Sequence, residues 1–374
     1  MSLTKTIHVV QVFESYPLFY QPYIPPVIKA IQNSSQIKLQ INAFTGKRDK
    51  DVLIMPSYYK RKLHEKFYAL THKNKPVLNY AEIQYIKQGV DVVHLQHSFL
   101  FSKVKGLLAL PNNERPKIII TLRGGDTYVK PWLSEKWQDF YANYGNLVDG
   151  FITMSHHQKQ YLHNKWGINP NKIHVIPISC VNPPEIQAKY PNSNTIKIVS
   201  AFRMCWEKNI NGNLKVIKYL KDKGINVQYH IYGSGPDAGQ LMFLIDKYKL
   251  QNNVTYHGKV ENTRLKSKLH NSDIYLQLSH SESLGMSVIE AQACGLPAIV
   301  SNSGGLPEVI IDKESGYCVG THETERAAEY IYELWKNKET YKVFSAKAIE
   351  NSQGFSVDVE VDKLTALYKK ITQL

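Results

Sequence analysis

The chain has 374 residues, 43% hydrophobic and 21% charged, which suits about two folded domains and excludes wholesale disorder. No run approaches the ~18 consecutive apolar residues of a membrane span, and residues 1–13 read as a strand rather than a secretion signal. The formal charge is +14, and residues 1–195 hold 24 basic against 12 acidic side chains, so the excess belongs to the first half. It implies a polyanionic partner (nucleic acid, anionic lipid headgroups or a phosphorylated substrate) without choosing among them.

In chain order, β-branched runs predict strands over 6–13, 38–44, 90–95, 117–122, 150–154 and 174–178. A second set follows over 196–201, 227–232, 254–257, 274–278 and 298–301. Amphipathic stretches such as 213–220 and 241–248 lie between them. After Gly316 the chain reads as helical, over 323–336, 341–351 and 359–371. Strand-helix alternation predicts parallel sheets covered on both faces. The stretch 182–194, with three prolines, three asparagines and no strand pattern, reads as a linker. The expected domains are 1–190 and 195–355, followed by a helical tail, 356–374. Ligands of such sheets sit beyond the carboxyl ends of the strands, where a cleft between two domains would open.

Several chemistries are excluded. The first glycine is Gly46, so no dinucleotide-binding turn follows the first strand. There is no phosphate-binding G-x-x-x-x-G-K-[ST] loop, no G-x-S-x-G elbow and no H-E-x-x-H. Cys180, Cys205, Cys294 and Cys318 are widely spaced, with no C-x-x-C pair and no clustered histidine. They predict buried reduced thiols rather than a zinc site or disulfide framework. Asp49-Lys50-Asp51 has the spacing of a metal-holding pair, but a charged turn leaves such a pair in solvent. No metal and no other cofactor is expected.

Chemistry concentrates in residues 279–308, SHSESLGMSVIEAQACGLPAIVSNSGGLPE. A strand ends in a polar turn and a helix starts near Gly285 and Met286. The free N–H groups of that helix start make an anion site, and Gly285 permits close backbone approach. Glu282 in the turn and Glu290 in the helix can only accept hydrogen bonds, so they suit hydroxyl-rich groups such as ribose or hexose. A phosphate flanked by such carboxylates describes a nucleotide-sugar. Upstream, Arg203 and Lys208 follow the strand 196–201, where two cations are placed to neutralise a diphosphate. A solvated loop with a salt bridge to Glu207 is the plainer alternative.

Glu282, Glu290-Ala291, Ala293, Gly295, Pro297, Gly304-Gly305 and Pro307-Glu308 meet the patterns E-x7-E, E-A-x-A-x-G-x-P and G-G-x-P-E. The segment resembles the signature of the retaining GT-B glycosyltransferases, specifically glycosyltransferase family 4, and the resemblance covers most of residues 90–320. It implies an α/β fold of two Rossmann-like domains facing across a cleft, with the C-terminal helix crossing back to the first. It further implies that Glu290 holds the donor's ribose hydroxyls, that Glu282 contacts the transferred sugar, and that Ser283, Leu284, Gly285 and Met286 cradle the diphosphate. Arg203 and Lys208 are similar to the family's G-R-x4-K arrangement, with Phe202 in place of glycine. Gly233 and Gly235, in Tyr232-Gly233-Ser234-Gly235-Pro236, resemble its donor-side G-x-G-P turn, and residues 257–260 resemble the place where the base is lodged.

The first half matches less closely. Relatives often carry two glycines after the first strand; the turn here is Phe13-Glu14-Ser15-Tyr16-Pro17. Thr121-Leu122-Arg123-Gly124-Gly125-Asp126 resembles the family's T-x-H-G-x-D stretch. Arg123 replaces histidine there and cannot accept a proton, which leaves binding of the donor or of an anionic acceptor. Glu14, Ser15, Arg123, Gly124 and Asp126 are therefore the acceptor-side candidates. The implied activity is metal-independent transfer of a sugar, with retention, from a nucleotide-sugar to a glycan or lipid-linked saccharide in cell-surface polysaccharide synthesis. The implied location is the cytoplasm or the inner face of the cell membrane. A nucleotide-sugar epimerase or hydrolase of the same architecture is the alternative. A nucleic-acid binder would leave the 279–308 motif unexplained, and no nucleic-acid partner is expected.

The segment from Tyr58 to Leu70 is both basic and aromatic. On a helix, Tyr59, Leu63, Phe67 and Leu70 share one face. That face either packs on the sheet, or meets a membrane surface with Lys60, Arg61, Lys62 and Lys66 facing anionic lipid.

Overall fold

A computed structural model describes residues 6–16, 21–47, 52–73, 75–180 and 186–373. Asp49-Lys50-Asp51 lies outside them. The chain forms two compact units, one from Met1–Ser179 with Val357–Leu374 and one from Cys180–Ser356.

The strands of the first unit are β1 (Ile7–Tyr16), β2 (Ile37–Gly46), β3 (Val52–Ile54), β4 (Val92–Leu95), β5 (Lys117–Thr121), β6 (Gly150–Thr153) and β7 (Ile173–Val175). They form one parallel sheet in the order β3-β2-β1-β4-β5-β6-β7. β4 and β6 are buried throughout and β5 nearly so, which is why they read as continuous apolar runs. The polar residue of β4, His94, is satisfied on both nitrogens, by the Tyr368 hydroxyl and the Thr121 hydroxyl, each at 2.7 Å. Tyr368 also accepts from Gln11 Nε2 at 3.2 Å. It belongs to the helix Val357–Thr372, which packs beside the helix Ile24–Gln32 and so completes a core begun some 350 residues earlier.

β1 is longer than the sequence predicts. Ser15 pairs with Thr45 and Tyr16 with Gly46, so Glu14 and Ser15 stand on a strand and not in a turn. The extension depends on Gly46, where a Cβ would fall 2.4 Å from the Tyr16 carbonyl oxygen.

In the second unit the strands are β8 (Ile196–Ala201), β9 (Val227–Tyr232), β10 (Val254–Tyr256), β11 (Ile274–Gln277), β12 (Ala298–Ser301) and β13 (Gly316–Val319). Their order is β10-β9-β8-β11-β12-β13, all parallel. Counted from β8 this is 3-2-1-4-5-6, the arrangement in which the order of strand addition reverses between the first and fourth strands. β13 corrects the expectation of an all-helical chain after Gly316. It is a four-residue edge strand opening on a glycine, whose Cβ would stand 2.0 Å from the Ala298 carbonyl oxygen, so no hydrophobic alternation announces it.

The helix Tyr58–Thr71 buries no residue fully. Its inward side is Arg61, His64, Glu65 and Tyr68, at i, i+3, i+4 and i+7. Glu65 accepts the Tyr80 amide at 3.0 Å and pairs with Lys62 at 2.7 Å; His64 meets the Tyr80 ring edge-on. A helix start has orphan N–H groups, and Glu65 supplies an acceptor for one on the neighbouring helix Tyr80–Lys87. The opposite side, with Tyr59, Leu63, Phe67 and Leu70, is 68–84% exposed. The packed-on-sheet reading of that apolar face is therefore corrected. Among the described residues no helix is long and apolar enough to cross a membrane.

Candidate functional site

Two loops meet where the strand order of the second sheet reverses. The first follows β8. Its Phe202 amide donates to the Tyr232 carbonyl at 3.0 Å and its Met204 amide to the Ser234 carbonyl at 3.1 Å. A Cβ on Gly233 would stand 1.9 Å from the Phe202 oxygen, and one on Gly235 2.2 Å from the Met204 oxygen. Loop-on-loop packing thus accounts for the bare backbone at both glycines. They brace the loop from which Arg203 projects, exposed to solvent. The short turn Trp206–Lys208 then returns Lys208 to Glu282, and the two form an ion pair with each side chain 15% exposed. Lys208 is therefore paired with Glu282, not with Glu207, whose carbonyl accepts the His280 amide at 2.7 Å.

The second loop follows β11. Besides Lys208, the Glu282 carboxylate takes Gln277 Nε2 at 2.9 Å and the Ser283 amide at 3.2 Å. These use three of its roughly four acceptor positions and leave one for a hydroxyl. The main chain here is clasped by Gly304-Gly305. A Cβ on Gly304 would lie 2.0 Å from the Glu282 oxygen and one on Gly305 2.4 Å from the Ser283 oxygen. The Gly305 amide donates to the Glu282 carbonyl at 2.9 Å. Leu284 is buried beneath. Gly285 takes a φ of 104° and begins the helix Met286–Ala293, which no side chain among the described residues caps. Its uncapped N–H groups and the helix dipole favour an anion.

Glu290 lies just over a turn into that helix and accepts Asn262 Nδ2 at 3.3 Å. Burial pushes its carboxyl above the usual carboxylate range, opposed by Asn262 and the nearby Lys266. The sequence-selected Lys208, Glu282 and Ser283–Met286 thus stand in one loop cluster, with Arg203 on its rim and Glu290 on the helix it opens. Two positioning residues escaped the sequence reading. Buried Asn213 ties the loops together, donating to the Lys208 and Asn209 carbonyls at 2.9 and 3.0 Å while accepting the Leu278 amide at 3.0 Å. Fully buried Gln277 orients Glu282 and also contacts Ser279, Tyr275 and Ser287. A glutamine ending an otherwise apolar strand was the available signal for the second; Asn213 carried none. Beside β9, His257 stacks on Tyr232 at 4.4 Å and meets His230 at 3.0 Å.

In the first unit, Arg123 follows β5 and is tied to Gln96, which follows β4. Its Nη2 donates to Gln96 Oε1 at 2.9 Å, and its guanidinium lies 5.4 Å from the Tyr23 ring. Asp126 is turned into its own loop: it accepts the Arg123 and Gly124 amides at 3.1 and 3.0 Å and the Ser98 hydroxyl. It therefore holds the loop, with Gly124 at φ 115° making the bend. Glu14 is exposed at the end of β1, beside the half-buried Ser15. His97 was overlooked, although it follows β4 within His94-Leu95-Gln96-His97. Burial, with Arg123 and Lys130 nearby, lowers it to about 4, and its Nε2 is buried without a partner among the described residues. Lys60, Arg61, Lys62 and Lys66 all lie on the helix Tyr58–Thr71, Arg61 on its inward side. Among the described residues no group of three or more His, Cys, Asp or Glu side chains is arranged to hold a metal ion.

Comparison with known proteins supplies the family. The pattern described as "Glycosyl transferases group 1" matches residues 182–351, and that of "Glycosyltransferase Family 4" matches residues 50–178. The chain is 24% identical over 277 residues to N-acetyl-alpha-D-glucosaminyl L-malate synthase of Bacillus anthracis, covering 71% of this chain and 70% of that protein. It is 26% identical over 237 residues to poly(ribitol-phosphate) alpha-N-acetylglucosaminyltransferase of Staphylococcus aureus (strain COL), covering 63% of this chain and 46% of that one. The chain spans about a quarter to a half of the length of several curated relatives it matches, from 24% to 46%. The Anabaena protein HepE, solved with UDP and glucose, shares the fold at a TM-score of 0.72 and 14% identity, covering 97% of this chain and 100% of that one. With its two parallel sheets and both halves matched by glycosyltransferase patterns, the chain belongs to the GT-B glycosyltransferases of family 4.

Proposed function

We propose that this protein transfers a sugar from a nucleoside-diphosphate sugar to a hydroxyl of a glycan or lipid-linked saccharide, with retention at the anomeric carbon. The observation that carries the reading is the second-unit loop cluster, where a Lys208–Glu282 pair adjoins an uncapped helix start at the sheet's reversal point. The presence of UDP and glucose in the HepE structure supports a donor of this class.

In this reading the anomeric C–O bond breaks with its electrons passing to the diphosphate. Fixed charges aimed at a developing anion are usually the largest catalytic term. Arg203, Lys208 and the amides around Leu284–Met286 supply them, so the reaction proceeds without a metal. Glu282, oriented by Gln277, accepts from a hydroxyl of the transferred sugar and keeps Lys208 in place. Glu290 accepts from the ribose hydroxyls. The acceptor hydroxyl forms the new C–O bond on the face the diphosphate leaves, and its proton goes to the departing phosphate oxygen. Arg123 and Gly124, with Glu14 and Ser15, serve the acceptor; Asp126 positions Arg123 and Gly124. The poly(ribitol-phosphate) in the name of the Staphylococcus aureus relative supports a polymeric acceptor, in keeping with a place in cell-surface polysaccharide synthesis.

Calorimetry with UDP-, GDP- and ADP-sugars tests the site. Glu290→Ala should weaken the preferred donor roughly 10- to 100-fold, as expected for lost charged hydrogen bonds. Wild-type affinity in that variant would overturn the assignment. Release of free sugar from the donor at the same rate with and without any acceptor would overturn transfer in favour of hydrolysis.

A further inference from the structure

The helix Tyr58–Thr71 is turned the opposite way from an ordinary surface helix. Amphipathic helices of globular proteins put the apolar stripe inward and the charges outward. Here Arg61, His64, Glu65 and Tyr68 face inward, and Arg61 Nε and His64 Nδ1 are buried without hydrogen-bond partners among the described residues. Tyr59, Leu63, Phe67 and Leu70 form a continuous exposed stripe three turns long. At 100° per residue, Lys60 flanks one side of the stripe and Lys62 and Lys66 the other. Between Ser57 and Lys75 there are six basic side chains and one acidic one. Contiguous apolar surface ringed by one sign of charge marks an interaction site.

We propose that this helix docks the protein on an anionic lipid bilayer. The stripe enters the headgroup–acyl boundary, with Tyr59 and Phe67 at the level where aromatic side chains partition, and Lys60 and Lys66 meet lipid phosphates. Charge complementarity selects this occupant. A second copy of the same helix would set its lysines against their like, and an apolar protein groove would leave them without counter-charges. The inward polar contacts account for the reversal, since Glu65 accepts the Tyr80 amide and cannot turn outward without losing it, whereas its pair with Lys62 lies within the helix itself. The proposal does not rest on the transferase reading: it concerns a surface of the first unit, and its readout is adhesion rather than turnover.

Sedimentation with phosphatidylglycerol-containing vesicles, and with phosphatidylcholine vesicles as the neutral control, tests it. Wild-type protein should pellet with the anionic vesicles, release as salt rises, and bind the neutral ones at least about tenfold more weakly. Lys60→Glu with Lys66→Glu, and separately Leu63→Asp with Phe67→Asp, should each lower anionic-vesicle binding about tenfold or more. Because these positions are exposed, both variants should keep the wild-type melting temperature and nucleotide-sugar affinity. Binding of wild type to neither vesicle, or equal binding by either double variant, overturns the proposal. So does concentration-dependent dimerisation that Leu63→Asp with Phe67→Asp abolishes in a protein that ignores lipid.

Discussion

The loops beyond β8 and β11 and those beyond β4 and β5 each follow two neighbouring inner strands of a parallel sheet but are built from different materials. In the second unit, backbone presses on backbone. Gly233, Gly235, Gly304 and Gly305 each stand where a Cβ would fall within 2.4 Å of a neighbouring carbonyl oxygen. In the first unit side chains hold the loops: Arg123 spans to Gln96, Asp126 gathers amides, and a neutral His97 follows Gln96. A site of main-chain amides needs glycines at fixed spacings and leaves little freedom in how they are spelled. A site of side chains can be rebuilt with other residues, which suits the acceptor role proposed above for the first unit.

The largest effect should come from breaking the backbone clasp. Gly304→Val adds a branched side chain at a φ of 60° and 2.0 Å from the Glu282 oxygen. It should cost about 3 kcal/mol or more of stability and abolish nucleotide-sugar binding, as read by thermal unfolding and calorimetry. Gly125→Ala in the first unit, where nothing lies within 4 Å of the new Cβ, is the matched control and should be nearly neutral. Equal damage from both would erase the contrast between the two loop clusters.

Next in size is Lys208→Ala, which removes the cation of a largely buried pair. It should lower kcat roughly 100-fold while raising KM far less, because charge on the diphosphate grows toward the transition state. Equal losses in kcat/KM and in donor affinity would mean that Lys208 binds ground and transition states alike.

The smallest effect tests the side-chain-built cluster. His97 stays neutral down to about pH 4 in the folded protein, whereas the unfolded chain protonates it near 6.5. Between those values the unfolded state binds the extra proton, so this residue subtracts stability as pH falls from 6.5 toward 4. His97→Gln should therefore gain on wild type across that window by a few degrees in Tm, with donor affinity left where it was. Parallel melting curves would show that burial of the imidazole carries no such penalty.

The same contrast decides what could be read in advance. Runs such as Lys117-Ile118-Ile119-Ile120 announce central strands, because burial on both faces forces continuous apolar sequence. β3 and β13, with three and four residues at sheet edges, have too little length for a period to emerge. The loop cluster of the second unit was legible because steric demand for glycine fixes residue type. The Lys208–Glu282 pair was not, since the two lie 74 positions apart and only the fold sets their distance. Nor was the orientation of the helix Tyr58–Thr71. Periodicity says which side chains share a face; which face turns inward depended here on one carboxylate reaching the Tyr80 amide.

The path of the chain has a consequence for its biosynthesis. Tyr368, which closes the polar gap around His94 and Gln11, is translated only after the whole of Cys180–Ser356 has been made. The unit begun first therefore cannot be completed until the residues of the other have been synthesised, and until then helix Ile24–Gln32 lacks its partner. A nascent chain of this design offers chaperones an incomplete first unit for most of its synthesis, and nonsense changes near the end should injure that distant core before they touch the nearer one.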